Sequence, residues 1–357
     1  MRSEIAARIA DFQALTGAHT SIGLAPMAGA CPPELSIAVC KAGGIGSCGA
    51  LLSSPAEIAE WARAFRAGSD GPFLINLWVP DPEPLRDARH EASIRAALSD
   101  WGPAVEPDAG DAPLQDFGAQ VEAVIAVKPL GFSTIMGLPS EQVIAEVKRA
   151  GILWFATVTT PEEARAAVEA GADVIVAQGA EAGGHRGAFR AENAERQAIG
   201  SLALIPAIVD AVSCPVVAAG GIADARGAIA ALALGASGVQ IGTGFLRTPE
   251  AATNRGWADA ITGLAPEGTV LTRGFSGRTG RAIRTRYTEA VASGDLPEPA
   301  PYPVQRGLTA NMRKAAAKDG DIDRMQAWAG QSARLAEARP AGEILRTIAA
   351  GIDAFLA

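Results

Sequence analysis

Short apolar runs alternate with Ala-rich amphipathic stretches along most of the chain. Each apolar run has the length of a strand, ends in a Gly or Pro turn, and is followed by a helical pattern. Several of the helical stretches open with Pro or with an Asp cap. The predicted strands are Ile22–Ala25, Ile45–Cys48, Phe73–Leu77, Thr134–Met136, Leu153–Val158, Val174–Gln178, Val216–Ala219 and Gly238–Ile241. The helical stretches between them include Pro33–Ala42, Pro55–Ala67, Glu141–Arg149, Pro161–Ala170, Leu202–Ala211 and Ala225–Leu234.

This alternation predicts the fold class. Strands that are apolar on both faces and alternate with helices pair in parallel, with helices covering the sheet. Eight such units close into a (β/α)8 TIM barrel.

The alternation of strands and helices is interrupted twice, and both interruptions predict segments added to the barrel. A Pro-rich and then helical stretch follows Pro80, and no further unit of the barrel kind appears after Thr262. We therefore expect a barrel from residues 1–80 and 128–262. A helical insertion (81–127) and a C-terminal helical extension (263–357) are expected to pack together near the barrel mouth.

Charge and composition exclude several classes of partner. The chain has 357 residues, 31 basic and 39 acidic side chains, and a net charge of −8. This acidic balance argues against binding nucleic acid or an anionic membrane surface, since both need clustered Lys and Arg. The uncharged stretch Ala228–Leu246 is rich in Gly and predicts buried core rather than a membrane span.

The cysteines and the N-terminus indicate a cytoplasmic protein. The four cysteines show no C-x-x-C spacing and are too few for a disulfide framework in a chain of 357 residues. The first residues, MRSEIAARIADF, carry regularly spaced charges and predict a helix, not a signal peptide. The sequence leaves the oligomeric state open, a homo-oligomer included.

Candidate chemistry follows from the barrel, whose catalytic groups come from the C-terminal ends of the strands. This rule selects Met27, Asn76, Gln178 with the loop through His185, Gly220–Gly221 and Gly242–Thr243. The loop AQGAEAGGHRG (Ala177–Gly187) surrounds its single histidine with glycines that let the backbone approach a ligand closely.

His185 is the candidate catalytic residue. The other two histidines, His19 and His90, lie in polar surroundings where a solvated role is expected. A metal site is disfavoured because Gly183 and Gly184 interrupt the helix that would align Glu181 with His185, and no second histidine is near. A neutral imidazole acting as a general base near its ordinary pKa of ~6.5 fits better.

The loops after the last two predicted strands form a candidate phosphate site. AAGGI (Ala218–Ile222) and GVQIGTG (Gly238–Gly244) place glycine amides where barrels commonly bind phosphate. GIGSCG (Gly44–Gly49) matches a dinucleotide motif, but it follows a helix and itself forms a strand, so we exclude it. The basic run Arg273–Arg286 could steer an anion, although a structural role is favoured.

Taken together, these residues resemble a known family. APMAG (Ala25–Gly29), AGGIG (Ala42–Gly46), INL (Ile75–Leu77), the AQGAEAGGHRG loop, AAGGI, GVQIGT and WAGQ (Trp328–Gln331) are similar to motifs of nitronate monooxygenases, formerly called 2-nitropropane dioxygenases. The resemblance runs nearly end to end, and the AQGAEAGGHRG loop is its most specific part.

The resemblance implies an FMN-bound barrel that oxidises alkyl nitronates, and neutral nitroalkanes where a base removes the α-proton, with O2 to a carbonyl compound and nitrite. It implies that His185 is the catalytic base. The residues implied to contact FMN are Met27, Asn76, Gln178, Gly183, Gly221, Gln240, Ile241, Gly242 and Thr243.

Two alternatives stay open at this point. An FMN-dependent enoyl reductase that uses NAD(P)H shares the barrel and a similar Gly-Gly-His loop. A flavin-free phosphate-binding lyase or isomerase belongs to another class. It usually needs a Lys at a strand end or paired carboxylates in the mouth, and no predicted strand here ends in Lys, Asp or Glu.

Overall fold

The computed structural model describes all residues, 1–357, and its centre is a barrel of eight parallel strands. The chain forms eleven strands, of which β7, β10 and β11 make a small separate sheet and the others make the barrel. The strands are β1 (Ile22–Leu24), β2 (Gly46–Gly49), β3 (Phe73–Trp78), β4 (Gly131–Ile135), β5 (Leu153–Val158), β6 (Val174–Gln178), β7 (Gly184–His185), β8 (Val216–Ala219), β9 (Gly238–Ile241), β10 (Thr269–Thr272) and β11 (Gly280–Ile283).

The barrel closes between its first two strands. Neighbours follow the order β1-β9-β8-β6-β5-β4-β3-β2. A parallel bridge from Gly23 to Ile45 joins the ends, with the Leu24 amide donating to the Ile45 carbonyl at 2.8 Å. The predicted TIM-barrel fold class is therefore confirmed.

Fourteen α-helices surround the barrel and its mouth. They are α1 (Arg2–Thr16), α2 (Pro33–Lys41), α3 (Pro55–Gly68), α4 (Ala88–Leu98), α5 (Phe117–Val127), α6 (Glu141–Arg149), α7 (Pro161–Glu169), α8 (Ser201–Val209), α9 (Ala225–Ala233), α10 (Arg255–Ile261), α11 (Arg286–Ser293), α12 (Val304–Leu308), α13 (Ala310–Asp319) and α14 (Ala341–Leu356).

Local signals explain where these elements begin and end. Ser54 and Glu57 form a capping box at the start of α3, and Asp224 accepts from the Gly227 amide to cap α9. β4 starts at Gly131, earlier than predicted, because a glycine there makes room for the Phe155 ring. The strand ends before Met136, whose φ of 74° does not fit extended backbone.

Helix α14 lies elsewhere than expected. The sequence predicts that the C-terminal extension lies near the barrel mouth, but α14 packs against α2 and α9 on the outside of the barrel. It supplies the helix that follows β9 in the ring, and Ile344, Leu345 and Ile348 are buried there. Similarly, α5 of the expected insertion packs on α3 as a barrel helix. The extension also contains β10 and β11, so it is not uniformly helical.

The N-terminal end of the barrel is filled by side chains, which leaves the opposite end for ligands. Phe12 of α1 packs with Ile45, Leu74 and Val217 inside the barrel. A Cβ on Gly238 would meet the Phe12 ring at 2.9 Å, so the glycine admits this aromatic plug.

Two other features settle earlier interpretations. Gly44 of the GIGSCG motif packs against Leu345 and the Ile22 carbonyl, which is a packing role and not a nucleotide turn. Residues 228–246 form α9, a turn, β9 and a short 3-10 helix, as a buried-core interpretation predicts. No helix in the chain is sufficiently long and apolar to cross a lipid bilayer.

Candidate functional site

One large cleft opens at the C-terminal ends of the barrel strands. Its volume is about 260 Å³, close to the lower end of the ~300–1,000 Å³ usual for a small-molecule site. Predicted site residues that line it are Met27, Asn76, Gln178, Gly183, His185, Gly221, Gln240, Gly242 and Thr243.

Ile241 is the exception among the predicted contacts. It lies in β9, is 1% exposed and packs in the hydrophobic core between barrel and helices. Successive strand residues face opposite sides of a sheet, so Gln240 reaches the cleft and Ile241 does not. Its side chain does not line the cleft, and its contact with the cofactor stays a prediction.

Four backbone amides face the cleft without a protein acceptor. The N–H groups of Gly221, Ile222, Gly242 and Thr243 donate to no backbone or side-chain oxygen, and all four residues line the cleft. Gly220 and Gly221 have φ of 102° and 75°, which turns the chain sharply after β8. Unpaired amides from two adjacent loops form an anion-binding concavity, the arrangement that a phosphate group requires.

The loop that contains His185 (Ala177–Gly187) packs directly against the WAGQ segment (Trp328–Gln331) of the C-terminal extension. A Cβ on Gly183 would lie 2.5 Å from the Gly330 nitrogen, so the two backbones touch there. The Gly330 amide donates to Thr243 Oγ1 at 3.0 Å, and the Gln331 amide donates to the Glu181 carbonyl at 2.9 Å. The C-terminal extension thus completes the site that the barrel loops begin.

Three side-chain amides project into the cleft from strands β3, β6 and β9. Asn76 donates to Ser133 Oγ at 3.0 Å, and Gln240 lies within 3.4 Å of the Leu24 carbonyl. Gln178 is held most firmly, because its Oε1 accepts from the Gly187 amide at 2.8 Å and its Nε2 donates to the His185 carbonyl at 3.0 Å.

A buried arginine, Arg186, holds Gln178 in place by hydrogen bonding. Arg186 is 1% exposed and donates to Gln178 Oε1 at 3.1 Å and to the Gly179 carbonyl at 2.7 Å. The strand end and the histidine loop are therefore tied to one side chain.

His185 lies in β7, which pairs with β11. The centroids of Trp78 and Trp328 are each 4.7 Å from its ring centroid, and its Nε2 lies 2.7 Å from Ser276 Oγ. Burial, and next the positive charges of Arg278, Arg313 and Arg306, lower the pKa of His185 to about 3. The imidazole is neutral at pH 7, as expected, but its pKa is far from the value near 6.5 that the sequence analysis assumed.

The other two histidines are remote from this site. His90 is in α4, with Nε2 2.8 Å from the Glu298 carbonyl, and His19 is exposed in the turn after α1. Neither lines the cleft.

Two cations in the cleft were not singled out from the sequence. Arg306 and Arg313 line it and form no salt bridge. Arg313 donates to Thr309 Oγ1, Gln326 Oε1 and the Arg306 carbonyl, and burial lowers its pKa to about 10. Unpaired guanidinium groups in a shielded cleft favour an anionic ligand.

The basic run that was singled out has mainly structural contacts. Arg278 is 1% exposed and forms an ion pair with Asp81, and Arg281 donates to the Ala180 carbonyl and to Thr269 Oγ1. Neither arginine lines the cleft.

Several other cleft residues also escaped sequence reasoning. Trp78 and Tyr302 belong to no motif of the sequence. Ser276 and Trp328 lie in the basic run and in the WAGQ motif, but neither residue is assigned a role from the sequence. The sequence places Glu181 near His185 but does not reveal that Glu181 binds Ser201. Its carboxylate accepts from the amide and hydroxyl of Ser201 at the start of α8.

An eight-stranded α/β barrel with a cleft lined by free backbone amides at its strand ends defines the class of this protein, a barrel enzyme. The family model described as nitronate monooxygenase matches residues 12–351, and the chain belongs to this family. A probable nitronate monooxygenase of Staphylococcus aureus (strain Newman) is 37% identical over 329 residues, covering 91% of this chain and 92% of that protein.

Two solved structures are similar over nearly the whole chain. Nitroalkane oxidase from Streptomyces ansochromogenes has a TM-score of 0.86 and 35% identity, covering 96% of this chain and 98% of its own. FabK from Thermotoga maritima has a TM-score of 0.76 and 26% identity, covering 97% of this chain and 96% of its own.

Proposed function

We propose that this protein is an FMN-dependent oxidoreductase that oxidises alkyl nitronates with O2 to carbonyl compounds and nitrite. Membership of the nitronate monooxygenase family supports the reaction class. The observation on which the proposal depends is the cleft itself, where unpaired amides, a neutral imidazole and two unpaired arginines face one space.

The residues present fit FMN. The free amides of Gly221, Ile222, Gly242 and Thr243 would hold its phosphate, and the amide side chains of Asn76, Gln178 and Gln240 would face the polar edges of its ring. FMN is preferred to FAD because the one dinucleotide-like motif, at Gly44–Gly49, is used in packing. When bound, FMN supplies the redox chemistry, taking electrons from the substrate and passing them to O2.

The electrostatics of the cleft favour a nitronate, which is an anion. Arg306 and Arg313 have no carboxylate partner, and the only acidic residue lining the cleft, Glu181, is bound to Ser201. Trp78, Trp328 and Tyr302 provide apolar walls around the alkyl part. For a neutral nitroalkane, the unprotonated nitrogen of His185 would accept the α-proton.

The enoyl-reductase alternative has one specific observation in its favour, the likeness to FabK over the whole fold. It would require NAD(P)H and an acyl thioester. The lyase or isomerase alternative is disfavoured because no lysine or aspartate lines the cleft.

A direct experiment separates these functions. The purified protein is denatured and the released flavin identified, and O2 uptake and nitrite are measured with a preformed nitronate in the absence of pyridine nucleotide. We expect FMN, together with O2 uptake and nitrite release. Release of FAD, or a protein purified without flavin, would contradict the cofactor assignment. O2 uptake only with NADPH, or reduction of an enoyl thioester, would replace the proposed activity with the reductase.

A further inference from the structure

Ser276 and His185 form a polar pair that the proposed function does not explain. Ser276 is 1% exposed and lies in the turn before β11, while His185 lies in β7 beside it. Ser276 Oγ lies 2.7 Å from His185 Nε2. It also lies 3.3 Å from the backbone nitrogen of Arg278 and 3.2 Å from the backbone carbonyl oxygen of Arg278.

These three contacts together select one tautomer of the histidine. A hydroxyl has one proton to donate and two lone pairs to accept with. The Arg278 amide must donate to Ser276, and the Arg278 carbonyl can only accept from it. Placing the hydroxyl proton on the carbonyl satisfies all three contacts at once, and His185 Nε2 then carries a proton and donates to the remaining lone pair. The opposite tautomer would leave the two oxygens of Ser276 and Arg278 facing each other 3.2 Å apart with no proton between them.

We propose that Ser276 is a positioning residue that holds His185 in the Nε2–H tautomer and thereby makes Nδ1 the proton-accepting atom. This inference rests on the proposed function for its kinetic consequence only. No protein group in the structure hydrogen-bonds to Nδ1. After proton transfer, the Nε2–H group keeps its bond to Ser276, so the serine also supports the imidazolium that forms.

The charged surroundings make this support necessary. The cations that act on the ring are Arg278 from the same turn, Arg306 from α12 and Arg313 from α13, and Asp81 is bound to Arg278. Tyr302 packs at a tilt against Trp78, with ring centroids 5.4 Å apart, and not against the histidine. The only neutral polar group bonded to the ring is therefore the Ser276 hydroxyl, and it is the group that can stabilise the protonated state.

Nitrogen-15 NMR of histidine-labelled holoprotein tests the tautomer directly. The chain has three histidines, so the His185 signals can be assigned by comparison with His185→Asn. We expect a single Nε2–H tautomer in the wild type and loss of that preference in Ser276→Ala. An Nδ1–H tautomer in the wild type, or an unchanged tautomer in Ser276→Ala, would overturn the proposal.

Tyr287→Phe is the matched control. The Tyr287 hydroxyl donates to the Gly274 carbonyl at 2.9 Å, so this variant removes one hydrogen bond from the same turn without touching His185. Gln305 also donates to Gly274, so the turn stays held. We expect the wild-type tautomer in Tyr287→Phe. Loss of the tautomer in this variant too would assign the effect to the turn and not to Ser276.

Kinetic measurements test whether this tautomer assists removal of the α-proton from a neutral nitroalkane. In Ser276→Ala, kcat/KM for a neutral nitroalkane should fall about 10-fold, the scale of one lost hydrogen bond to a charged group, and kcat/KM for the preformed nitronate should stay within about 2-fold. Equal losses on both substrates would contradict the positioning role. If the wild type oxidises neither substrate, the proposed function fails while the tautomer measurement still decides this inference.

Discussion

His185, the proposed base, has surroundings that oppose its protonation. Burial and three arginines lower its pKa to about 3, so the free ring stays neutral well below pH 6.5. An anionic product formed next to the ring would offset this effect, because a negative charge favours the imidazolium. The residue is therefore suited to accept a proton only when an anion is formed at the same moment.

This gives a pH prediction with a definite sign. A histidine with a lowered pKa loses its function as a base only as the pH falls toward that pKa. kcat/KM for freshly dissolved neutral nitroalkane should therefore stay level from pH 8 to about pH 5, without the decline below ~6.5 that an unperturbed histidine would give. Initial rates of O2 uptake across this range provide the measurement.

His185→Asn is the variant that connects this profile to the residue. Asn cannot take the proton, so turnover of neutral nitroalkane should fall ~10²–10⁴-fold. Activity on nitronates, which arrive deprotonated, should be much better retained, with the cofactor still bound. A tenfold loss of wild-type rate per pH unit below 6.5 would mean that the ring titrates normally.

At the scale of elements, the loop between β8 and α9 has a backbone conformation and a close packing that leave no room for a side chain at Gly221. Gly221 has φ of 75°, and a Cβ there would lie 3.3 Å from the Glu181 Cβ. The same residue offers a free amide to the cleft. The loop geometry and the candidate anion site therefore both involve one glycine.

Gly221→Val should weaken retention of the flavin. Valine strains a left-handed backbone and presses on Glu181, which shifts the amides that would hold the phosphate. The flavin-to-protein ratio after gel filtration measures the effect. Gly263→Val is the matched control, because Gly263 has φ of 69° with open space around it and does not line the cleft. If both variants retain flavin equally, the loop is not the phosphate site.

At the scale of the molecule, the two ends of the chain complete the barrel. Phe12 of α1 fills its N-terminal end, and α14 supplies the outer helix after β9. The segment between β9 and α14 crosses the mouth and brings Arg306, Arg313 and Trp328 to the cleft. The parts that form the site are therefore coupled to the parts that close the barrel.

Leu345→Ala should lower the free energy of unfolding by ~2–5 kcal/mol, the usual cost of emptying a buried leucine site. Leu345 is 0% exposed and packs in the core shared with α2 and α9. Arg346→Ala, at the exposed next position, should change it by less than ~0.5 kcal/mol. Urea unfolding followed by circular dichroism compares the two. Equal stabilities would show that α14 is not part of the cooperative barrel.

The sequence predicts most of the barrel because its signals are local. The strands at Val174–Gln178 and Gly238–Ile241 are found with the predicted bounds, since apolar runs between Gly turns specify them without reference to the rest of the chain. The glycine loops and His185 are predictable for the same reason, as barrel strands place their C-terminal ends in one mouth.

Long-range packing decided the remainder. No periodicity in the sequence shows that residues 341–356 pack on the outside of the barrel. Nor does it show that Ser276, Arg306 and Trp328 line the same cleft as a histidine about 90 or more residues earlier in the chain. The pKa of His185 depends on those same neighbours and so could not be read from its loop. The sequence alone determined the fold class and the family, and it singled out the candidate base, because contiguous residues carry each of these signals. The tertiary structure alone decided the charge around that base and the partner of its ring, because both are set by side chains that only folding brings together.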